Sequence, residues 1–423
     1  MRRAARVSRA ALGIVIGGLV GNAVGSVSMI NATFGVFLVP VTTALGWPRA
    51  SFSVVLLIMS IMGVIGYPVA GRLADRFGVR PVALIGNVLF ALSVAALFFC
   101  TDQRSVVYGL YVLVGLAATL PSAVVLAKPI SLWFSKHRGL LYAVTTAFGI
   151  NVGAALMQVV TAALISDHGW RLAYVGIAAI ILLAGFPAMM LLKDPPEALQ
   201  SSTGAPAPIE GMSLREARHT PAFWLLLTGI TLGAGSLSAT VLHVVPILTD
   251  RQISLTAATT VFAAMTLFNA TWQIFMGMIL DRTHTPRIAA VFLAISLAGL
   301  FIIDRSSNLT TLILGGVLLG IGTGTEYALL PLAVQRYFGA KSFSEIYGLI
   351  FGVSILMSGF TPILMDLVFD RTGDYRIALI MVGVAIFCSA ALISRMPTYR
   401  TTQSRISAID KTEAEFEPAA VCT

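Results

Sequence analysis

The chain has 423 residues, of which 57% are hydrophobic and only 11% are charged, and its formal net charge is +9. An ordinary soluble domain carries about 25% charged residues, so this composition excludes a water-soluble fold of this length. It indicates a membrane protein with many spanning segments. Because the apolar runs are continuous and about 20 residues long, these segments are helices rather than strands.

Twelve apolar segments follow one another along the chain, and each predicts one membrane-spanning helix. The first begins after a basic N-terminal stretch and is interpreted as an uncleaved helix rather than a signal peptide. The predicted helices cover residues 11–40, 50–70, 81–101, 106–134, 139–165, 171–192, 221–247, 256–280, 288–304, 308–334, 344–368 and 376–395.

Arginine and lysine are concentrated in alternate connectors. With the N-terminus placed in the cytoplasm, the inner connectors hold 21 of the 28 basic residues and the outer connectors hold 7. Basic residues near helix ends favour the cytoplasmic side. The sequence therefore predicts a multi-pass protein of the inner (plasma) membrane with both termini in the cytoplasm.

The longest internal connector, residues 193–220, is rich in Pro, Ser and Gly, as linkers are. It divides the chain into an N-terminal six-helix bundle, 1–192, and a C-terminal one, 221–395. We expect the tail, 396–423, to be disordered and cytoplasmic. The end of the linker, "SLREARHTPAFW" (213–224), predicts a short interfacial helix.

The two predicted bundles resemble each other in sequence. Gly-x-x-x-Asp-Arg occurs at Asp75 and again at Asp281, an offset of 206 residues, and residues 169–179 match 374–384 at an offset of 205. Parallel repeats with a central binding site are typical of one large transporter architecture. We therefore predict an all-α membrane protein of twelve helices in two pseudo-symmetric bundles.

The first copy of the repeated motif lies between predicted helices 2 and 3. It resembles the signature Gly-x-Leu-x-Asp-Arg-x-Gly-x-Arg of the major facilitator superfamily, and the resemblance covers essentially the whole chain. Gly78 permits a turn with positive φ, and basic residues anchor the turn at the anionic inner leaflet. The resemblance implies a gating role that holds the two halves in one state; a solvated turn with local ion pairing is the alternative. The residues of this role are Gly71, Asp75, Arg76, Gly78, Arg80 and, in the degraded second copy, Asp281 and Arg282.

Three stretches resemble the oxalate:formate antiporter and monocarboxylate transporter group within that superfamily: 31–53, 243–254 and 324–348. In that group an arginine of helix 8 is implied in carboxylate binding. Gln273 stands at this position here, so bidentate, charge-assisted pairing with a carboxylate is lost. A neutral or larger polar ligand, or a different cationic partner, is the alternative to a small carboxylate.

Ionisable groups at membrane depth are costly and indicate function. Lys128 in helix 4 is either a cavity-facing cation or a snorkelling lysine. His243 in helix 7 and Glu326 in helix 10 are candidates for proton coupling; the alternatives are a hydrogen-bonded structural histidine and a packed, neutral acid. Asp366 near the outer end of helix 11 is interpreted as an interfacial residue.

Uncharged polar residues complete the candidate site. The resemblance implies that helices 1, 4, 7 and 10 line the cavity, with helices 5 and 8 next, although such residues also form helix–helix hydrogen bonds. The candidate substrate-binding residues are Asn31, Lys128, Asn151, His243, Asn269, Gln273 and Tyr327.

These features predict a secondary active transporter that moves a small organic anion or a related metabolite by alternating access, coupled to protons or to a counter-substrate. An exporter of drugs or hydrophobic metabolites is one alternative, and a transporter-like ligand sensor is another. No enzyme motif, cofactor motif or nucleic-acid-binding pattern is found in the sequence. The expected partners are the substrate, protons or a counter-substrate, and the lipid bilayer, and we expect a monomer.

Overall fold

The computed structural model describes residues 2–134, 141, 143–193, 211–339 and 342–399. Within these residues, eleven apolar helices are long enough to cross a membrane. One of them, Val144–Met190, has 47 residues. At 1.5 Å per residue it would be about 70 Å long, more than twice the hydrocarbon thickness of a bilayer. Gly169, with a φ of 80° and non-helical geometry, divides it into two. Twelve crossings result, as predicted.

We label the twelve helices α1 to α12 in chain order. The first half holds α1 (Ala11–Leu45), α2 (Arg49–Phe77), α3 (Val79–Ala96), α4 (104–133), α5 (143–168) and α6 (170–190). The second half holds α7 (Pro221–Asp250), α8 (Leu255–Arg282), α9 (Arg287–Arg305), α10 (Leu309–Phe338), α11 (Phe343–Thr372) and α12 (Arg376–Ser394). Several helices extend past their predicted ends, because an apolar run stops at the first charged residue whereas the helix continues through its last turn.

Several helices of the first half are irregular. Helix α1 contains the π-helical segment Val27–Asn31, and α5 begins with another, Ala143–Phe148. Helix α4 is interrupted between Ala118 and Ala123. Such interruptions are rare in ordinary helices and frequent at functional sites.

The helix ends form two faces of the protein. We call the face that carries the α2–α3 turn and the described end of the linker the linker face, and the opposite one the distal face. On the linker face, a helix at Leu214–Arg218 is capped reciprocally by Ser213 and Glu216, which confirms the predicted short helix. Residues 194–210 of the predicted linker lie outside the described residues.

Apolar side chains fill the interior of each half and also cover the outside. Phe37, Phe52 and Phe90 are buried in the first half, and Phe262 and Tyr337 in the second. Other large apolar side chains are exposed on the helix surfaces, among them Leu92, Leu183 and Phe387. A belt of exposed apolar residues fits contact with lipid rather than with water.

Glycines with positive φ lie in five of the turns between described helices: Gly46, Gly78, Gly169, Gly339 and Gly373. Gly78 has a φ of 86° in the α2–α3 turn, which confirms the predicted conformation. Gly169 and Gly373 have φ values of 80° and 78° in the α5–α6 and α11–α12 turns. The last two turns occupy corresponding places in the two halves, in line with the repeat seen in the sequence.

The beginning of the tail differs from expectation. Met396 and Tyr399 are buried, and the backbone N–H of Tyr399 donates to the carbonyl of His284 at 3.0 Å. The hydroxyl of Tyr337 also donates to the carbonyl of Pro397. The prediction of disorder from residue 396 onward is therefore wrong for its first four residues, which pack on α10 and the α8–α9 turn. Residues 400–423 lie outside the described part of the chain.

Candidate functional site

A cluster of charged residues joins the two halves at the distal face. Arg49, at the start of α2, forms a bidentate pair with Asp250, at the end of α7, with distances of 2.5 and 2.8 Å. The guanidinium also donates to the hydroxyl of Tyr375 at 3.1 Å and lies 3.9 Å from the ring centroid of Phe369. Arg49 is thus held entirely by residues of the other half, in the planar geometry that guanidinium groups favour.

The N-terminus of α2 is also capped by the other half. The backbone N–H groups of Arg49 and Ala50 each donate to the carboxylate of Asp370 at 3.0 Å. The first residues of a helix have no intrahelical acceptors for their N–H groups, and Pro48 before them provides no side-chain cap. Asp370 on α11 therefore satisfies donors that the first half leaves open.

Asp366, one turn further into the membrane on α11, is completely buried. Its carboxylate accepts hydrogen bonds from Ser53 on α2 and, at 2.8 Å, from the hydroxyl of Tyr375. Burial and the nearby Asp366 raise the pKa of Tyr375 well above its ordinary value, so this phenol remains a donor. The interpretation of Asp366 as an interfacial residue is wrong, because its side chain lies at the centre of a polar cluster.

His243 on α7 belongs to the same cluster and is fully buried. Its Nδ1 lies 2.8 Å from the carbonyl of Ala239, which can only accept, so Nδ1 carries a proton. Its Nε2 lies 3.0 Å from Oδ2 of Asp366. This is an ion-pair distance, although the ring does not direct Nε2 at the oxygen well enough for a regular hydrogen bond. We call Arg49, Ser53, His243, Asp250, Asp366, Asp370 and Tyr375 the distal seal.

Helices α2 and α11 keep one antiparallel register through the distal seal. Four residues along α2 lead from Arg49 to Ser53, and four residues back along α11 lead from Asp370 to Asp366. Seven further steps on each helix lead to Ser60 and Gly359, which also touch: a Cβ at Gly359 would stand 2.4 Å from the hydroxyl oxygen of Ser60. The halves are in close contact along this whole stretch.

Towards the linker face the same helices have separated. Four glycines there have no heavy atom of a neighbouring element within 4 Å of an added Cβ: Gly71, Gly277, Gly348 and Gly352. These glycines lie on α2, α8 and α11, which are the helices that meet the opposite half on the distal side. Along α2 and α11, the halves therefore touch at the distal face and leave open space beside Gly71, Gly348 and Gly352 at the linker face.

Polar residues at mid-membrane depth join α5 to α8 and α1. Asn269 donates to Oδ1 of Asn151 at 3.1 Å, and Asn151 donates to the carbonyl of Ala147 at 2.8 Å. Gln158, two turns further along α5, donates to the carbonyl of Ala32 beside Asn31. These amides thus form contacts between helices, and the oxygens of Asn31, Gln158 and Asn269 remain buried without a donor in the described residues.

Gln273 lies one turn from Asn269 on α8 and is half-buried. Its backbone nitrogen and Asn269 both lie close to Gly324 of α10, where a Cβ would stand 3.2 and 2.9 Å away from them. Next to Gln273, the indole of Trp272 donates to Thr325 of α10 at 3.0 Å. Because Gly324 has no side chain, α10 packs closely against α8. This close packing brings Thr325 of α10 next to the polar residues of α8.

Glu326 of α10 is 7% exposed and lies near α7 and α12. A Cβ at Gly233 would stand 3.4 Å from its Oε2 and 3.0 Å from the hydroxyl of Ser389. In the described part of the chain, no cation or hydrogen-bond donor reaches its carboxyl group. The neighbouring Tyr327 is 58% exposed, so it points away from the packed side that buries Glu326.

The predicted cation Lys128 and the predicted gating residue Asp281 both have partners at the linker side. Lys128 Nζ donates to the carbonyl of Ala74 at 3.2 Å, so its ammonium group lies at the linker-side end of α2. Arg336 donates to the carbonyls of Leu280 and Thr283 at 2.9 and 2.7 Å and lies 3.5 Å from the carboxylate of Asp281. Asp281 therefore contacts its own half.

The remaining gating candidates are on the surface of the linker face. Arg76, Arg80 and Arg282 are exposed, and the guanidinium of Arg76 lies 5.2 Å from the ring centroid of Phe77. Asp75 is part of α2, but its side chain lies outside the described part of the structure. Among the described side chains, Arg76, Arg80 and Arg282 show no contact with the opposite half.

The family model of the Major Facilitator Superfamily matches residues 20–354. The chain belongs to this superfamily. Membership agrees with the twelve-helix architecture and with the sequence resemblance, and it makes the protein a membrane transporter rather than an enzyme.

Individual relatives of this facilitator are distant in sequence. Human monocarboxylate transporter 11 is 26% identical over 344 residues, 78% of this chain and 71% of that protein. The uncharacterized MFS-type transporter YhjX of Escherichia coli is 25% identical over 312 residues, 70% of this chain and 73% of that protein. Monocarboxylate transporter 2 of Rattus norvegicus is 22% identical over 373 residues, 81% of this chain and 75% of that protein.

Sequence reasoning found one member of the distal seal, His243, because a histidine inside an apolar helix is rare. It missed Arg49, Asp250, Asp366 and Asp370. One feature of the sequence could have indicated the three acids: they cluster at the outer ends of helices, where membrane topology does not require acidic residues. Their pairing brings together residues more than 200 positions apart, and no local pattern contains it.

Proposed function

We propose that this facilitator moves a small organic anion of the monocarboxylate kind, or a related metabolite, across the inner membrane by alternating access, coupled to protons or to exchange. The observation that carries the proposal is the contrast between the two faces. At the distal face the residues of the distal seal join the halves, whereas at the linker face Gly71, Gly348 and Gly352 of α2 and α11 have open space beside them. A single access path towards the linker face is what one state of an alternating cycle requires. The excess of basic residues on the linker side supports its assignment to the cytoplasm.

The substrate class rests on the relatives and on the polar residues at mid-depth. Two relatives carry the name monocarboxylate transporter, and we transfer that class to this chain as a proposal. Asn31, Asn151, Asn269 and Gln273 offer amide groups at the depth where such transporters bind substrate. Tyr327 and Lys128 line the opening at the linker side. The amides can orient a carboxylate by hydrogen bonds, although they supply no charge.

Proton coupling is assigned to Glu326 and His243. Both are buried at membrane depth, where an unpaired charge costs several kcal/mol, about 3 or more. A group that gains and loses a proton during the cycle has to meet water in at least one state. The gating residues of the linker face, from Gly71 to Arg80 and at Asp281 and Arg282, close the opening in the opposite state.

Counterflow in proteoliposomes tests this function. Purified protein is reconstituted, the vesicles are loaded with unlabelled lactate, pyruvate, formate or a neutral amide of similar size, and entry of the labelled solute is measured. We expect saturable counterflow for at least one carboxylate and none for its amide. If protons move with the substrate, the lumen should become more alkaline as the unlabelled substrate leaves. Counterflow of apolar drugs alone, or ligand binding without counterflow, would overturn the proposal in favour of an exporter or a sensor.

Replacing Gln273 by Arg sharpens the test. The variant restores the charge that Gln273 lacks, so we expect a lower KM for anions and no change for neutral solutes. Gln273→Lys, which adds the charge without the planar fork, should improve anion binding less.

A further inference from the structure

His243 and Asp366 form a buried pair across α7 and α11. The Nδ1 of His243 is already committed to the carbonyl of Ala239 at 2.8 Å, so a second proton can bind only at Nε2. Nε2 lies 3.0 Å from Oδ2 of Asp366, and both side chains are fully buried. A proton taken up at Nε2 would therefore stand directly beside the carboxylate of Asp366.

The remaining partners of Asp366 are neutral. Ser53 and Tyr375 donate hydroxyl hydrogen bonds to its two oxygens. The guanidinium of Arg49 is directed at Asp250, and the N-terminus of α2 is occupied by Asp370. Among the described residues no fixed cation therefore faces Asp366, and a buried carboxylate without one is costly.

The distal seal also has an excess of negative charge. One guanidinium stands against three carboxylates, so the charge is two negative when His243 is neutral and one negative when it is protonated. The other elements around His243 add no compensating charge: α1 presents the ring of Phe34 at 6.3 Å, and Arg371 and Arg376 are exposed at the surface. Glu326 faces Gly233, ten residues from His243 and about 15 Å along the helix.

We propose that His243 and Asp366 jointly hold the coupling proton, which is bound while the distal face is shut and leaves to the distal water when it opens. Asp366 supplies the carboxylate that stabilises the proton on His243, and in this way gives His243 its role. The step is a transfer of one proton between water and Nε2, with no other bond formed or broken. The proposal rests on the transport function proposed above and specifies where its proton is carried.

Distance measurements against pH test this inference without any substrate. Cys100, Cys388 and Cys422 are replaced by Ala, and spin labels are placed on Gln103→Cys and Ser307→Cys, which are exposed at the distal face of opposite halves. Distances are recorded from about pH 5 to about pH 9, the range in which a histidine titrates. We expect the short, closed distance at low pH and a growing long distance as pH rises. The closed-to-open ratio should change by no more than about tenfold per pH unit, the limit for one proton.

Three variants separate this role from a structural one. Asp366→Asn removes the acid and should remain closed across the range, whereas His243→Gln retains the excess negative charge and should lack the acid-closed state. Ser53→Ala retains both groups of the pair but loses a hydrogen bond between α2 and α11, so it should lower the closed fraction at every pH and keep its rise at low pH. Asp374→Asn, on the same turn but outside the distal seal, should titrate like the parent protein.

A response unchanged in both Asp366→Asn and His243→Gln overturns the inference. If proton-coupled counterflow persists in that case, the proposed function stands and Glu326 carries the proton. If the distances follow expectation while no carboxylate is transported, the proton site stands and the proposed function falls. Each variant is accepted only when it elutes as a single species, and Ser53→Ala, the mildest change, keeps the test decisive if another variant does not fold.

Discussion

Gly71 of α2 and Gly348 of α11 occupy matching positions of two antiparallel helices, yet neither has a neighbouring heavy atom within 4 Å of its Cβ position. Eleven steps along α2 lead from Ser60 to Gly71, and eleven steps back along α11 lead from Gly359 to Gly348. Ser60 and Gly359 are in contact, so the same register continued to the linker face places the two glycines opposite each other.

A cysteine pair tests this register. In the cysteine-free protein, Gly71→Cys with Gly348→Cys should form a disulfide only when the linker face closes, because the Cβ atoms have to approach to about 4 Å. We expect a low yield of cross-link without substrate and a higher yield with a transported substrate, measured on gels after mild oxidation. The pair Gly71→Cys with Leu349→Cys is one residue out of register and serves as the control. Equal cross-linking of both pairs would argue against closure of α2 and α11 in the register seen at the distal face.

Gly359 and Gly352 should respond differently to a methyl group. A Cβ at Gly359 would stand 2.4 Å from Ser60 and 3.0 Å from the backbone of Leu57, whereas Gly352 has open space. Overpacking costs about 1–3 kcal/mol. Gly359→Ala should therefore open the distal face, read from the spin-label distance between Gln103→Cys and Ser307→Cys. Gly352→Ala should leave that distance unchanged, and similar distances in both variants would contradict this view of the interface.

Removing the Arg49 guanidinium should also weaken the distal seal. Arg49→Gln leaves the carboxylate of Asp250 without its cation, and hydrogen bonds to charged groups contribute about 1.5–3 kcal/mol. Arg49→Lys keeps the charge but loses the bidentate geometry, so its effect should be intermediate. Arg376→Gln, an exposed arginine on the same face, is the control. Distal cysteine labelling that is no faster in Arg49→Gln than in Arg376→Gln would exclude Arg49 from the gate.

The contact between Asn151 and Asn269 can be assigned to structure or to transport. A hydrogen bond between membrane helices contributes about 0.6 kcal/mol on average. Asn269→Ala should therefore lower the melting temperature only slightly, while reducing counterflow about tenfold or more if the amide binds substrate. Asn87→Ala removes a buried amide that bonds only to the carbonyl of Ile181, in the first half. Equal losses of transport in the two variants would point to a structural role.

The thiol of Cys100 should be unreactive at neutral pH. Burial raises the pKa of Cys100 from 9.0 to about 11, against a smaller opposing effect of Arg171. A thiol reacts as its thiolate, so this shift lowers the reactive fraction at neutral pH by about a hundredfold. Maleimide labelling of Cys100 should accelerate as pH rises towards 11 and should be slow relative to Ser307→Cys. Fast labelling at neutral pH would show that this end of α3 opens readily.

Elements that depend on local pattern were predictable. The twelve helices follow from apolar runs of membrane length, the turn at Gly78 from its glycine, and the short helix at Leu214–Arg218 from Ser213 and Glu216. The division at Gly169 was also visible, because Ser166, Asp167 and His168 interrupt the apolar run there. In each case the determining interaction lies within a few residues of the chain.

Contacts between the halves were not predictable in the same way. Arg49 and Asp370 are 321 positions apart, and each taken alone resembles an ordinary charged residue at a helix end. Asp366 was interpreted as interfacial because it lies near the end of an apolar run. The hydropathy of one segment contains no information about which helix packs against it. The packing of Tyr399 was missed for the same reason. In sequence, a polar tail that packs on the protein looks like a disordered tail, and only its contacts distinguish the two.

The distal seal divides its charges unequally between the halves, with the guanidinium of Arg49 on one wall and the carboxylates of Asp250, Asp366 and Asp370 on the other. Once parted, the walls would form a vestibule with an electric field across its width. A solute with separated charges would be turned as it enters. Dissolved salt would screen the attraction that brings the walls together again, so ionic strength would slow re-closure of the vestibule.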